Sequence, residues 1–293
     1  MSFARVFLRN KNYQNYKNMY RGFNLKLDED YFLKQNIFST QEINEYKKLG
    51  LSSLKNNDFL LKYIEEAEEL EGDRIMQECF PNDIKEYNIF LSHSHKNMRI
   101  ALIIAGLLKS KYKIEVFIDS TVWLNYIHLL KCIDDYYCKS KEKIKERYDY
   151  NSKEYYDYDI RNYSTSHINL MLMNSLNMMI DKCEVLFFLN TPNSISIDNI
   201  GQKTNSPWIF SEIQTSKIIR KKIPNRNIPL MKSTKYFSTD LKISYPLELD
   251  HLTNISRYNF LKWINGNYNN PNSALDGLYE IYPLEKHSNI NRF

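Results

Sequence analysis

The sequence predicts an α/β protein whose parallel sheet carries helices on both faces. Short, largely apolar runs alternate with helix-periodic stretches: residues 87–91 precede a helical pattern over 98–108, residues 114–118 precede one over 121–132, and residues 185–189 precede one opening at Pro207. Such alternation implies parallel strands joined by right-handed crossovers. The runs lack a strict polar–apolar alternation, as expected of strands covered on both sides. Helix punctuation falls between them, with Ser206 in N-cap position and Pro207 at the first helical residue.

Taken in order, residues 1–83 read as a polar, helical N-terminal extension. Ser39-Thr40-Gln41-Glu42 has the form of a capping box. A helix over 58–79 follows from Leu60, Leu61, Ile64, Ala67 and Leu70, spaced by three and four. Pro81 and Asn82 punctuate the chain, so the main domain is expected over 84–293. The helix after the first run would face inward through Met98, Ala101, Leu102, Ala105 and Leu108, and another is expected over 170–180. Ile228-Pro229-Leu230-Met231 is a fourth strand candidate, moved to an edge or a strand start by its proline, and Ile243-Ser244-Tyr245 is a poorer fifth. Residues 134–165 interrupt the alternation. They read as a Tyr- and Lys-rich insertion, partly helical over 141–147. A helical tail closes the domain, and no internal repeat is present.

Composition narrows the function classes. The 293 residues include 7 glycines, with neither G-x-G-x-x-G nor G-x-x-x-x-G-K-[ST], so glycine-lined phosphate cradles are absent. A net charge of +5 suits an anionic small ligand, while interspersed signs argue against a nucleic-acid partner. Four cysteines without a C-x-x-C pair fit a reducing, cytoplasmic setting. Arg5, Arg9 and Lys11 interrupt any leader, and the apolar run 100–108 is too short to span a bilayer. His128, Cys132 and Cys138 match no standard zinc spacing, so no metal is expected. The tyrosines of 148–163 could stack nucleobases or pack the insertion against the domain.

Three segments resemble TIR (Toll/interleukin-1 receptor) domains, in family order. Tyr87-Asn88-Ile89-Phe90-Leu91-Ser92-His93-Ser94 is similar to the family's first strand and following loop. Glu115-Val116-Phe117-Ile118-Asp119 is similar to its second strand, which leads into the BB loop. Ser206-Pro207-Trp208-Ile209-Phe210-Ser211-Glu212-Ile213 is similar to its Ser-x-Trp-x-x-x-Glu-Leu element. The match covers roughly 84–135 and 166–232; the insertion at 134–165 and the long polar stretch 191–205 depart from it. The resemblance implies a flavodoxin-like sheet and, as in enzymatic members, a catalytic glutamate at Glu212. It further implies cleavage of the nicotinamide–ribose bond of NAD⁺, which is substrate rather than cofactor. Anti-phage immunity of the Thoeris kind, self-association through TIR domains, and a downstream effector or phage-derived trigger follow on the same footing.

In an open parallel sheet ligands bind beyond the carboxyl ends of the strands. Ser92, His93, Ser94 and His95 follow the first strand, Asp119 and Ser120 the second, and Asn190 and Thr191 the third, so all should line one sheet edge. Trp208 and Glu212, four apart, share a helix face. Each candidate has a plainer reading: Ser92 and Ser94 as helix caps, His93 and His95 as loop surface, Asp119 as a cap, Trp208 as packing. His167 could reach the ligand edge from the insertion. Two other functions fit the same fold: a non-enzymatic TIR–TIR interaction module, and a nucleoside deoxyribosyltransferase-like enzyme, which also sets a glutamate at a ribose.

Overall fold

A computed structural model of the chain describes residues 19–27, 44, 57–80, 86–139, 156–198, 201–224, 226 and 245–283. Its elements run β1 (Arg21–Lys26), α1 (Asn57–Glu66), α2 (Gly72–Cys79), β2 (Ile89–Ser92), a 3₁₀ turn (His95–Asn97), α3 (Met98–Tyr112), β3 (Val116–Ile118) and α4 (Ser120–Ile133). After one π turn (Asp134–Cys138) come α5 (Tyr158–Lys182), β4 (Val185–Asn190), β5 (Ser196–Asp198), β6 (Gly201–Thr204) and α6 (Pro207–Ile218). The chain then forms β7 (Tyr245–Pro246), β8 (Thr253–Ile255), α7 (Arg257–Ile264) and α8 (Pro271–Ile281).

The main sheet has five parallel strands in the order β3-β2-β4-β1-β8. This is the α/β class that the strand–helix alternation predicts, and it is flavodoxin-like, as the resemblance implies. Side chains alternate across it and build two cores. On one face Phe23, Ile89, Val116 and Phe187 meet α3, α7 and α8. On the other Phe90, Phe117, Leu186 and Phe188 meet α4, α5 and α6, with α1 and α2 packed outside them. A small antiparallel sheet, β5-β6-β7, follows β4.

The N-terminal boundary needs correction. Helices α1 and α2 do lie within 1–83, but the same segment supplies β1, which pairs with β4 on one side and β8 on the other. Residues 1–83 are therefore not an appendage to a domain beginning at 84. Phe23 and Leu25 of β1 are fully buried, while Asn24 points to the opposite face. The signal was a period-two pattern, Phe23-Asn24-Leu25-Lys26-Leu27, masked by two residues of low strand propensity, Gly22 and Asn24. Leu252 seats over Gly22, where a Cβ would come within 2.3 Å of its Cδ2.

Other expectations shift in detail. The helix expected over 58–79 is two helices, broken where Glu65, Glu66, Glu68, Glu69 and Glu71 crowd a helix C-terminus that favours cations, just before Gly72. Helix α5 begins twelve residues earlier than the expected 170, because Asp157 caps it by accepting from the amides of Asp159 and Ile160 at 3.0 and 3.1 Å. The insertion is correspondingly narrower, and its two ends are joined by a bridge between Lys139 and Tyr156 and by Arg161 Nε, 3.0 Å from buried Asp134. Tyr245 pairs with Thr204 in the small sheet, and the main sheet takes β8 instead. The capping box at 39–42, the Pro81-Asn82 punctuation, the helix at 141–147 and the strand candidate at 228–231 lie outside the described residues, as does the first half of the tyrosine run 148–163.

At the amino end of the sheet, buried Glu184 receives Arg226 and the hydroxyl of Tyr279, while Arg226 also reaches Asp276. This network ties α8 to the start of β4. No helix among the described residues is long and apolar enough to cross a membrane.

Candidate active site

The site grows from three adjacent strand ends. β3, β2 and β4 are parallel neighbours, so the residues after Ile118, Leu91 and Leu189 emerge along one edge. Ser92 ends β2 on the face that carries Phe90 and Phe188, and its side chain is completely buried. His93 turns the chain and is buried too. Its Nδ1 lies 2.7 Å from Asp119 Oδ1 and 3.3 Å from the Leu91 carbonyl, and its Nε2 lies 3.0 Å from Ser120 Oγ. Asp119 caps α4, Oδ1 accepting from the Ser120 amide at 2.7 Å. Burial works against a charge on His93, but the charge and hydrogen bond of Asp119, with the Leu91 carbonyl, outweigh it and raise the imidazole above its ordinary value.

Helix α6 brings the fourth group. Ser206 Oγ accepts from the Ile209 amide at 3.2 Å and Pro207 occupies the first turn, which sets where the helix starts. Ile209, Glu212, Ile213 and Ser216 then form its buried stripe, and Thr215 Oγ1 bonds Asn177 of α5 at 2.7 Å. Glu212 consequently points at the sheet, only 1% exposed. Its polar neighbours are Ser92 and Asp119. Neither Glu212 oxygen, nor Ser92 Oγ, makes a well-formed hydrogen bond among the described residues. Desolvation first, and the Asp119 charge second, push the Glu212 carboxyl well above the usual range; Ser92 opposes this more weakly.

A second cluster braces the loop after β4. Thr191 Oγ1 donates to Asn97 Oδ1 at 2.7 Å, Ser194 Oγ donates to the Leu189 carbonyl at 2.9 Å, and the Ser94 amide donates to Ser194 Oγ at 3.3 Å. The same sheet face carries an amide row: Asn190 Nδ2 donates to Asn24 at 2.9 Å, and Asn24 Nδ2 to Asn254 at 2.8 Å. It runs from β4 through β1 to β8, on the face that holds Ser92.

Of the residues singled out from sequence, Ser92, His93, Asp119 and Glu212 come together. Thr191 and the Ser94 backbone form the neighbouring brace. His95 is exposed at the start of the 3₁₀ turn. Trp208 is half-buried one turn before Glu212 and meets Tyr126 of α4 edge-on, ring centroids 6.1 Å apart, which is the packing alternative. His167 packs at a tilt against Tyr163 in the first half of α5, ring centroids 4.4 Å apart. Sequence reading missed Asn97, Ser194, Asn24 and Asn254. Asn24 was findable from the period of β1; the other three carry no local signal, since each is defined by its partner. Among the described residues no group of three His, Cys, Asp or Glu is placed to hold a metal ion.

No family model, curated protein or solved structure matches the chain.

Proposed function

We propose that the protein is a TIR-type enzyme that cleaves the bond between nicotinamide and ribose in NAD⁺. The observation that supports this most is the setting of Glu212, a buried and unpaired carboxyl beside Ser92 and Asp119 at the carboxyl edge of a parallel sheet. Cleavage develops positive charge on the ribose in an oxocarbenium-like transition state. A fixed, desolvated carboxylate stabilises that charge far better than water does. Nicotinamide departs as a neutral base, so no proton donor is needed for the leaving group. Ser92 would orient the carboxylate or a ribose hydroxyl. The 3₁₀ turn and α3, opening straight after β2, offer backbone amides for the diphosphate. Attack by water gives ADP-ribose, and attack by a group of the same molecule gives a cyclic product.

On this reading the enzyme works in the cytoplasm and is activated by self-association through its TIR domain. A phage-derived trigger and a downstream effector belong to the same proposal. The near-complete burial of Glu212 favours a second reading, a non-enzymatic interaction module in which this carboxyl never meets a ligand.

The test is nicotinamide release from NAD⁺ across a series of protein concentrations, with Glu212→Gln alongside and nucleosides offered in parallel. The expected result is release that rises more steeply than protein concentration, and falls by about 100-fold or more in the variant. Equal release from both proteins removes Glu212 from the mechanism. No release at any concentration supports the interaction module, and turnover of nucleosides alone supports a deoxyribosyltransferase.

A further inference from the structure

Two buried carboxyl groups, Asp119 just after β3 and Glu212 on the inward stripe of α6, belong to the same face of the sheet, and they are differently provided for. Asp119 has His93 Nδ1 and the Ser120 amide, each at 2.7 Å. Among the described residues Glu212 has no donor of good geometry, and Ser92 beside it has no partner of good geometry either, although both side chains are essentially fully buried. Among the described residues the elements packed around α6 also bring His93 after β2, Asn177 of α5, taken by Thr215, buried Ser175 of α5, buried Lys203 and Thr204 of β6, and His251, which bonds Ser216 of α6 at 2.8 Å. Asp119 is the ionisable neighbour that acts on Glu212 by charge. Two ionised carboxylates only accept hydrogen bonds and repel each other strongly at low dielectric. One proton removes the repulsion and turns the contact into a hydrogen bond, with Glu212 donating to Asp119.

We propose that Asp119 and Glu212 hold one proton between them, and that a ligand with a fixed positive charge at the reacting ring, an N-ribosylpyridinium, takes that proton's place. This rests on the NAD⁺ reading of the site. The exchange balances: neutral Glu212 and the incoming cation become Glu212 carboxylate paired with the cation, and one proton passes to the buffer. Asp119, kept in place by His93, is a positioning residue that sets the protonation of Glu212 without touching the scissile bond. The pair then discriminates by charge. NAD⁺ carries a pyridinium, whereas NADH has a neutral dihydropyridine on the same ribose and diphosphate, and nothing in it replaces the proton. The raised position of the Glu212 carboxyl accords with this arrangement.

Two measurements test it. In ligand-free protein with ¹³C-labelled glutamate carboxyls, the Glu212 signal, assigned by its loss in Glu212→Gln, is followed against pH. It should titrate well above the other glutamates and move down in Asp119→Asn; His93→Gln serves as the second perturbing variant if Asp119→Asn does not fold. A Glu212 that titrates with the exposed glutamates overturns the proton-sharing pair, whatever the protein binds. Second, calorimetry in two buffers of different ionisation heat uses carbocyclic NAD⁺, a cation that cannot be cleaved at the ribose, and NADH. About one proton should be released per cation bound at a pH where Glu212 is neutral, with at least about tenfold preference over NADH, the equivalent of one pKa unit of coupling. Binding without proton release, or equal affinity for NADH, overturns the charge selectivity. If neither compound binds, the NAD⁺ reading and the selectivity fall together, and the carboxyl titration still decides the pair.

Discussion

Asp119 Oδ1 stands 2.7 Å from His93 Nδ1, joining the turn after β2 to the cap of α4 across two adjacent strands. Both side chains are buried. The contact fixes the position of the acidic group that, among the described residues, presses on Glu212, so structure and chemistry are coupled there.

His93→Ala should destabilise the fold by about 3–5 kcal/mol, because removing one partner leaves a buried charge uncompensated. Urea denaturation gives the number. The pH dependence has a defined sign. Since the folded protein raises the imidazole above 6.5, its contribution is complete below that value and is lost as pH rises through the folded one. A variant with Gln at this position should lack that part of the pH–stability curve; an unchanged curve would show that the ring is not ion-paired.

Glu212→Gln should stabilise the protein increasingly as pH rises above 4.5 and, on the proposed function, lower nicotinamide release. The raised Glu212 carboxyl favours folding while protonated, so its contribution is lost as pH climbs from 4.5 through the folded value. The amide cannot ionise and avoids the loss. Denaturation of both proteins across pH should show the gap absent below 4.5 and widening as pH rises above it toward the folded value.

Phe23→Ala should cost about 3–5 kcal/mol, the usual penalty for emptying a large core site. Deleting residues 1–27 removes the strand between β4 and β8 and should abolish cooperative unfolding. A truncated protein that melts cooperatively at the parental temperature would contradict the place of β1 in the sheet.

Thr191→Val removes the donor that satisfies buried Asn97, and should cost about 1–3 kcal/mol. If the loop after β4 also carries substrate, KM should rise more than kcat falls, which steady-state kinetics would separate.

Much of the fold could be read directly. β2, β3 and β4 are short apolar runs because both their faces are covered, and α6 announces itself through Ser206 and Pro207. β1 escaped because Gly22 and Asn24 weaken a run that is stabilised by pairing with residues more than 150 positions away. α5 ran past its expected start because its first turns are polar and begin from a cap at Asp157 inside what looked like an insertion.

The site divides in the same way. Strand ends are written in neighbouring residues, which was enough to single out Ser92, His93 and Asp119, whereas Glu212 was singled out by the resemblance of the segment 206–213 to the TIR element. That Glu212 is sealed from water against Asp119, that His93 bonds Asp119 rather than facing solvent, and that three asparagines line up across β4, β1 and β8 were decided by tertiary structure. Burial and charge–charge proximity arise between residues distant in the chain, and no local pattern encodes them.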